Sequence, residues 1–315
     1  MNTDKDRIIY VHGMKPKPRP EDHSAMLWRC LLDGVRRADG GVAEQLAGNP
    51  GMFALVAWSS LLYDEQTRIE PDVPGVERLL GLPGPEPDDI REAMHWHKRI
   101  GQFVYLLSDA FPVLIDLVAN PDMKATLQDA RRYFRNDDGV ASRIRARVAD
   151  ALIAATGAGQ RILLIGHSLG SVIAYDVLWE LSRRRNSDVR IDQFLTIGSP
   201  LGVNFVQHRI LGSRERGVRR YPDNIRAWRN LSAIGEMTAL DRRMAKDFAP
   251  MYTAGLVESI CDDIDLINYF RGPDGLNVHK CYGYMANEKT GAVLVEWLQR
   301  AAAPRRLPDP ASRSA

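Results

Sequence analysis

The chain has 315 residues, 45% of them hydrophobic and 26% charged, the balance of a globular protein with a sizeable core in one large domain or two modest ones. A net charge of +2 is too small to mark a nucleic-acid or anionic-membrane partner. Cys30, Cys261 and Cys281 are too scattered for a disulfide framework, the first residues lack the basic-then-apolar order of a signal peptide, and no apolar run has bilayer length, so a soluble, reduced, cytoplasmic protein is expected.

The first apolar run, Ile8-Ile9-Tyr10-Val11, is continuous rather than alternating, which predicts a strand covered on both faces of a parallel sheet. It ends at His12-Gly13. Lys15-Pro16-Lys17-Pro18-Arg19-Pro20 reads as a loop because its prolines forbid a helix. Met26, Leu27, Cys30, Leu31 and Val35 have helical spacing, and Met52 to Trp58 reads as a second buried strand. Residues 70–89, with five prolines and three glycines, read as a loop or linker. An apolar helical stripe runs from Ile100 through Phe103, Leu107, Phe111 and Leu114 to Val118, divided or kinked at Pro112. Another helix covers Val140 to Ala155.

Strands return at Arg161 to Ile165, Gln193 to Ile197, Ile225 to Leu231 and Asp265 to Phe270. Helices follow Ser171 and close the pattern at Ala292 to Gln299. Strands alternating with helices predict an α/β protein with a mostly parallel central sheet flanked by helices. The alternation breaks in the middle. The expected organisation is therefore a core of residues 1–62 and 159–303, a helical insertion of residues 63–158 over one end of the sheet, and a disordered tail over 304–315.

Gly166-His167-Ser168-Leu169-Gly170 lies between a buried strand and an amphipathic helix. A serine hydroxyl is a poor nucleophile at neutral pH and needs an adjacent base and exposure at the end of a rigid strand. The turn that exposes it is tight, so the residues two before and two after must be small, and Gly166 and Gly170 are. In this context the run, continued by Ser171, resembles the nucleophile turn of the α/β-hydrolase superfamily, in its lipase- and esterase-like branch. The resemblance covers most of the chain outside the insertion and the tail. It implies the α/β-hydrolase fold and makes Ser168 the nucleophile.

The same resemblance assigns the remaining parts. One oxyanion donor is the backbone N–H of Leu169, after the nucleophile; the other is that of Met14, after His12-Gly13. The chain order in this fold is serine, acid, histidine. Of seven histidines only His208 and His279 follow the turn, and His279, in Asn277-Val278-His279-Lys280-Cys281-Tyr282, resembles the family's histidine loop. The acid belongs in the loop after Ile225 to Leu231. Trp228-Arg229-Asn230 followed by Glu236 resembles a family segment in which Asp-Pro-Val follows Trp-x-Asn. Here Glu replaces Asp and Met237 replaces Pro, with Asp241 as the competing acid.

Other features carry plainer readings. His95-Trp96-His97 is no metal pair, because residues two apart on a helix diverge and no ligand cluster completes a site. Lys15, Lys17 and Arg19 read as a solvated loop, with contact to an anionic substrate as the alternative. The Ile100 to Val118 stripe either packs on the sheet or lines an acyl pocket as a lid. The function expected is a serine hydrolase acting on small-molecule or lipid-like carboxylic esters, without cofactor or metal. The alternatives are thioester or amide cleavage by the same triad, or a hydrolase-fold binding protein that has lost activity.

Overall fold

The computed structural model describes residues 5–95, 121–236 and 243–300. The Ile100 to Val118 stripe, Trp96, His97, Asp241 and the 304–315 tail lie outside the described residues.

Six strands form one sheet: β1 Asp6–Val11, β2 Phe53–Val56, β3 Arg161–His167, β4 Ile191–Ile197, β5 Ile225–Ala233 and β6 Ser259–Leu266. Their order is β2-β1-β3-β4-β5-β6 and every neighbouring pair is parallel. The continuous apolar runs follow from this arrangement, because both faces of the sheet are covered. Ile9, Val11, Ile162, Leu164 and Phe194 pack on one side, against the buried faces of α5 (Val140–Gly157) and α6 (Leu169–Trp179). Ile8, Tyr10, Leu163, Ile165 and Leu195 pack on the other, against α1 (Pro20–Ala38) and α7 (Glu288–Gln299). Successive residues of one strand thus feed two separate cores, as a period of two requires. Residues 140–157, inside the expected insertion, supply Ile144, Val148 and Leu152 to the same core as β1 and β3.

The helices carry their own signals. Pro20 opens α1, where its missing N–H costs nothing, and Glu21 and Asp22 in the first turn and Arg36 and Arg37 in the last complement the helix dipole. Between α1 and the centre of the chain lie α2 (Gly40–Ala47) and α3 (Val73–Gly81), and α4 (Pro121–Arg135) precedes α5.

Three expectations need correction. Residues 70–89 are not a plain linker: α3 and a helical stretch from residue 87 occupy part of it, with Pro74 in the first turn of α3, where proline is tolerated. The second strand is shorter than Met52 to Trp58. Met52 belongs to a 3₁₀ turn, and the Trp58 backbone N–H leaves the sheet to donate to His12 Nε2. The last strand of this sheet is Ser259–Leu266 rather than Asp265 to Phe270, and only a hairpin of two-residue strands, Arg271–Gly272 with Gly275–Leu276, follows it among the described residues. Its acidic run hides it, but this is an edge strand whose carboxylates find partners. Asp262 accepts from Asn230 Nδ2 and from the backbone N–H groups of Met244 and Ala245, and Asp263 pairs with Arg229 and Lys289.

From β1 the chain moves outward to β2 and then crosses back to β3 on the other side of β1. The connections leaving β1 and β3 therefore diverge, which opens a crevice at the carboxyl ends of these two strands. His12-Gly13 and Ser168 stand at those two ends.

Candidate active site

Ser168 is the single residue between β3 and α6 and has φ +54° and ψ −130°. That conformation is one an L-residue with a side chain avoids, at a cost of ~1–3 kcal/mol. The flanking glycines are needed for contact reasons. A Cβ on Gly166 would lie 2.5 Å from Ser171 Cα, and one on Gly170 would lie 2.2 Å from Val11 O. The strained residue is held by its backbone: Ser168 N–H donates to Ile197 O at 3.1 Å and Ser171 Oγ donates to Ser168 O at 2.6 Å. Ser199 Oγ lies 2.7 Å from Ser171 Oγ and accepts from Leu201 N–H at 3.2 Å, so hydroxyls from two turns brace the serine from below.

The loop after β1 lies directly against this turn. A Cβ on Gly13 would stand 2.8 Å from Ser168 Cβ. His12 is buried and its ring stacks on Trp58, with centroids 4.6 Å apart. Because Nε2 accepts from Trp58 N–H, Nδ1 carries the proton and donates to Gly13 O at 2.8 Å. That carbonyl belongs to the same peptide unit as Met14 N–H, and in a trans peptide the two point in opposite directions. His12 therefore sets the orientation of the Met14 N–H. Burial, followed by the positive field of Lys17, holds the His12 ring far below the ordinary histidine range and thus neutral. Beyond Met14, Lys15 takes φ +73° and donates its N–H to Tyr63 Oη, and Lys17 Nζ donates to Met14 O.

His279 and Glu236 come together from elements 43 residues apart. Glu236 follows β5 and its side chain is 1% exposed; His279 precedes the short helix Cys281–Met285 and is 34% exposed. Glu236 Oε2 lies 2.8 Å from His279 Nδ1 and accepts a second hydrogen bond, at 3.1 Å, from Tyr284 Oη. The same tyrosine oxygen accepts from Ala233 N–H at 2.8 Å, so Tyr284 ties the end of β5 to the carboxylate. With Nδ1–H donating to Glu236, His279 Nε2 keeps its lone pair, the one a general base uses. Gly198 closes the floor: a Cβ there would lie 3.2 Å from both Glu236 Oε2 and His279 Nδ1.

The histidine loop is also tied to the serine turn. His167 Nε2 lies 2.9 Å from His279 O, and the two rings are 4.8 Å apart at their centroids. Since a carbonyl oxygen can only accept, Nε2 carries the proton. Burial and the neighbouring His279 push the His167 ring far below the usual range, so it serves as a neutral donor. The structure thus brings Ser168, His279, Glu236 and the Gly13-Met14 loop to one end of the sheet, with Leu169 opening α6 beside them. It also places beside them two residues that the sequence pattern does not single out, His167 and Tyr284, and it packs Lys17 against Met14 rather than leaving it in a solvated loop. His208 lies apart, bonded through Nδ1 to Asn204 O in its own exposed turn.

Among the described residues, no group of three or more His, Cys, Asp or Glu side chains could hold a metal ion, and no helix is long and apolar enough to cross a membrane. No family model, no curated protein and no solved structure matches this chain.

Proposed function

We propose that the chain is a serine hydrolase of the α/β-hydrolase type that cleaves carboxylic esters. The observation that carries this reading is the sealed Glu236 carboxylate hydrogen-bonded to His279 Nδ1 at 2.8 Å, at the same sheet end as a serine in a strained strand-to-helix turn. A buried carboxylate is costly unless it has work to do or partners to satisfy it. Holding an imidazole in one tautomer provides both.

In this reading Ser168 Oγ attacks the ester carbonyl carbon while its proton passes to His279 Nε2. Glu236 supports the imidazolium that forms. The backbone N–H groups of Met14 and Leu169 receive the negative charge that develops on the carbonyl oxygen, a contribution of roughly 3 kcal/mol for each well-placed donor. The tetrahedral intermediate collapses, the C–O bond to the alcohol breaks, and His279 returns the proton to the departing oxygen. Water then attacks the acyl-Ser168 carbonyl, with His279 again as base, and releases the acid and free Ser168.

The test is labelling by a fluorophosphonate probe, with Ser168→Ala as control, followed by a panel of 4-nitrophenyl esters set against acyl thioesters. Labelling that Ser168→Ala abolishes, with faster ester than thioester turnover, supports the proposal. Equal labelling of both proteins would sink it.

A further inference from the structure

Lys17 is the one feature of the oxyanion loop that this mechanism leaves unused. Its Nζ donates to the backbone oxygen of Met14, the residue whose N–H is the proposed oxyanion donor, and Met14 follows Gly13, which touches Ser168. The residue is half-buried, and among the described residues no carboxylate stands within 4.0 Å of its ammonium group. An ammonium presents three donors, and the Met14 carbonyl takes one.

The surroundings repeat the imbalance. Tyr282 Oη and His23 Nδ1 are hydrogen-bonded at 3.0 Å. The other ring nitrogen of His23, Nε2, is buried without a hydrogen-bond partner. His23 is packed edge-on against His12 at 6.4 Å between centroids, directly behind the loop. Lys280, next to the proposed base, adds a second ammonium. The nearby carboxylate, Asp72, is already taken by Lys280 at 2.7 Å through both its oxygens. Two ammonium groups and one engaged carboxylate leave the field behind the oxyanion loop positive.

We propose that Lys17 makes this site selective for esters that carry a second, negatively charged group, such as a carboxylate, which the Lys17 ammonium receives at the edge of the oxyanion loop. This rests on the serine-hydrolase reading and adds the substrate class to it. An anion there supplies the acceptor that Lys17 lacks, and a charge-assisted hydrogen bond in a half-buried position is worth more than one in water.

The charge on Lys17 is itself conditional. Burial brings its pKa down to about 8, with Lys280 and Lys15 pushing the same way and Cys281 and Asp72 opposing. His12 and His23, which also face it, are neutral throughout. Preference for the anionic ester in kcat/KM, which reports the free enzyme, is thus full below pH 8 and fades above it.

The experiment compares kcat/KM for mono-4-nitrophenyl glutarate, 4-carboxyphenyl valerate and the neutral 4-nitrophenyl valerate, in wild type, Lys17→Gln and Lys17→Arg. Glutamine keeps an N–H for Met14 O without the charge, and arginine keeps the charge. The expected result is that Lys17→Gln lowers the ratio of one anionic ester to the neutral one by roughly tenfold or more. Lys17→Arg retains most of that ratio, and the wild-type ratio falls as pH rises through 8. A parallel loss on all three esters reduces Lys17 to a loop brace and overturns the proposal, while leaving the hydrolase reading intact. A wild type that takes no fluorophosphonate removes both.

Discussion

The Nδ1 atom of His279 lies 2.8 Å from Oε2 of Glu236, a carboxylate with 1% of its side chain exposed. Tyr284 Oη donates to the same oxygen, so that oxygen accepts two hydrogen bonds within the protein. Glutamate has one more methylene than aspartate, and here the extra length is matched by a glycine, Gly198, whose missing side chain leaves room for the pair. The longer glutamate side chain is therefore accommodated by the surrounding structure.

Glu236→Gln keeps the shape and removes the charge. The amide holds the imidazole less well and does not stabilise the imidazolium. We expect kcat on 4-nitrophenyl butyrate to fall by roughly a hundred- to ten-thousand-fold, with circular dichroism unchanged and with part of the loss recovered in Glu236→Asp. An unchanged kcat would assign the supporting acid elsewhere.

Tyr284→Phe removes the hydroxyl that donates to Glu236 and accepts from Ala233 N–H. Both hydrogen bonds of the hydroxyl are lost from a buried position, at a cost of about 1–3 kcal/mol. Urea unfolding is expected to show a loss of that size. The drop in kcat should be far smaller than in Glu236→Gln, because the His279 contact survives.

The parts legible in the sequence are those set by local pattern. Ile8 to Val11 and Ile162 to Ile165 are continuous apolar runs because both faces of the sheet are covered, and the glycines about Ser168 announce their turn. β6 was hidden because an edge strand can carry Asp262, Asp263 and Asp265 where a central strand cannot. α3 was hidden because proline count alone does not distinguish a loop from a helix with proline in its first turn. Glu236 was reachable only by resemblance, since no local signal marks a glutamate that meets a histidine 43 residues away. Lys17 looked like a solvated loop residue because its burial is made by packing from distant parts of the chain.

His167 ties the serine turn to the histidine loop through one hydrogen bond from Nε2 to His279 O. Leucine fills the space without the donor; glutamine places an N–H at a comparable reach. His167→Leu is expected to lower kcat about tenfold or more at nearly constant KM, with His167→Gln restoring much of it. Equal losses in the two variants would show that packing, not the hydrogen bond, is what matters at this position.

Ser168 holds φ +54° at a cost that glycine does not bear. Its bonds to Ile197 and Ser171 use only the N–H and C=O of Ser168 itself and survive the substitution. Ser168→Gly should therefore abolish turnover and still raise stability by about 1 kcal/mol, after the greater flexibility of the unfolded glycine chain is subtracted. Differential scanning calorimetry reads this as a small rise in Tm; a fall in Tm would mean the turn is not strained.

Asp176, on the buried face of α6, lies away from the proposed chemistry and governs a different property. Oδ1 accepts from Leu211 N–H at 2.7 Å and Oδ2 from Tyr133 Oη at 2.8 Å, with Arg145 also favouring its charged form. Burial outweighs them and raises its pKa from 3.8 to about 6. A carboxyl whose pKa is higher folded than unfolded binds its proton more tightly in the native state. Its contribution to stability is therefore complete below pH 3.8 and is lost as pH rises through 6, by an amount on the order of 3 kcal/mol. Asparagine cannot ionise, and its amide can still accept from Leu211 N–H while donating to Tyr133 Oη. Asp176→Asn should thus gain on wild type as pH rises, with a Tm difference that moves several degrees in the variant's favour between pH 4 and pH 7. Because every other titrating group is common to both proteins, it cancels in that difference. A difference that stays flat across the interval would mean that Asp176 is not the group responsible.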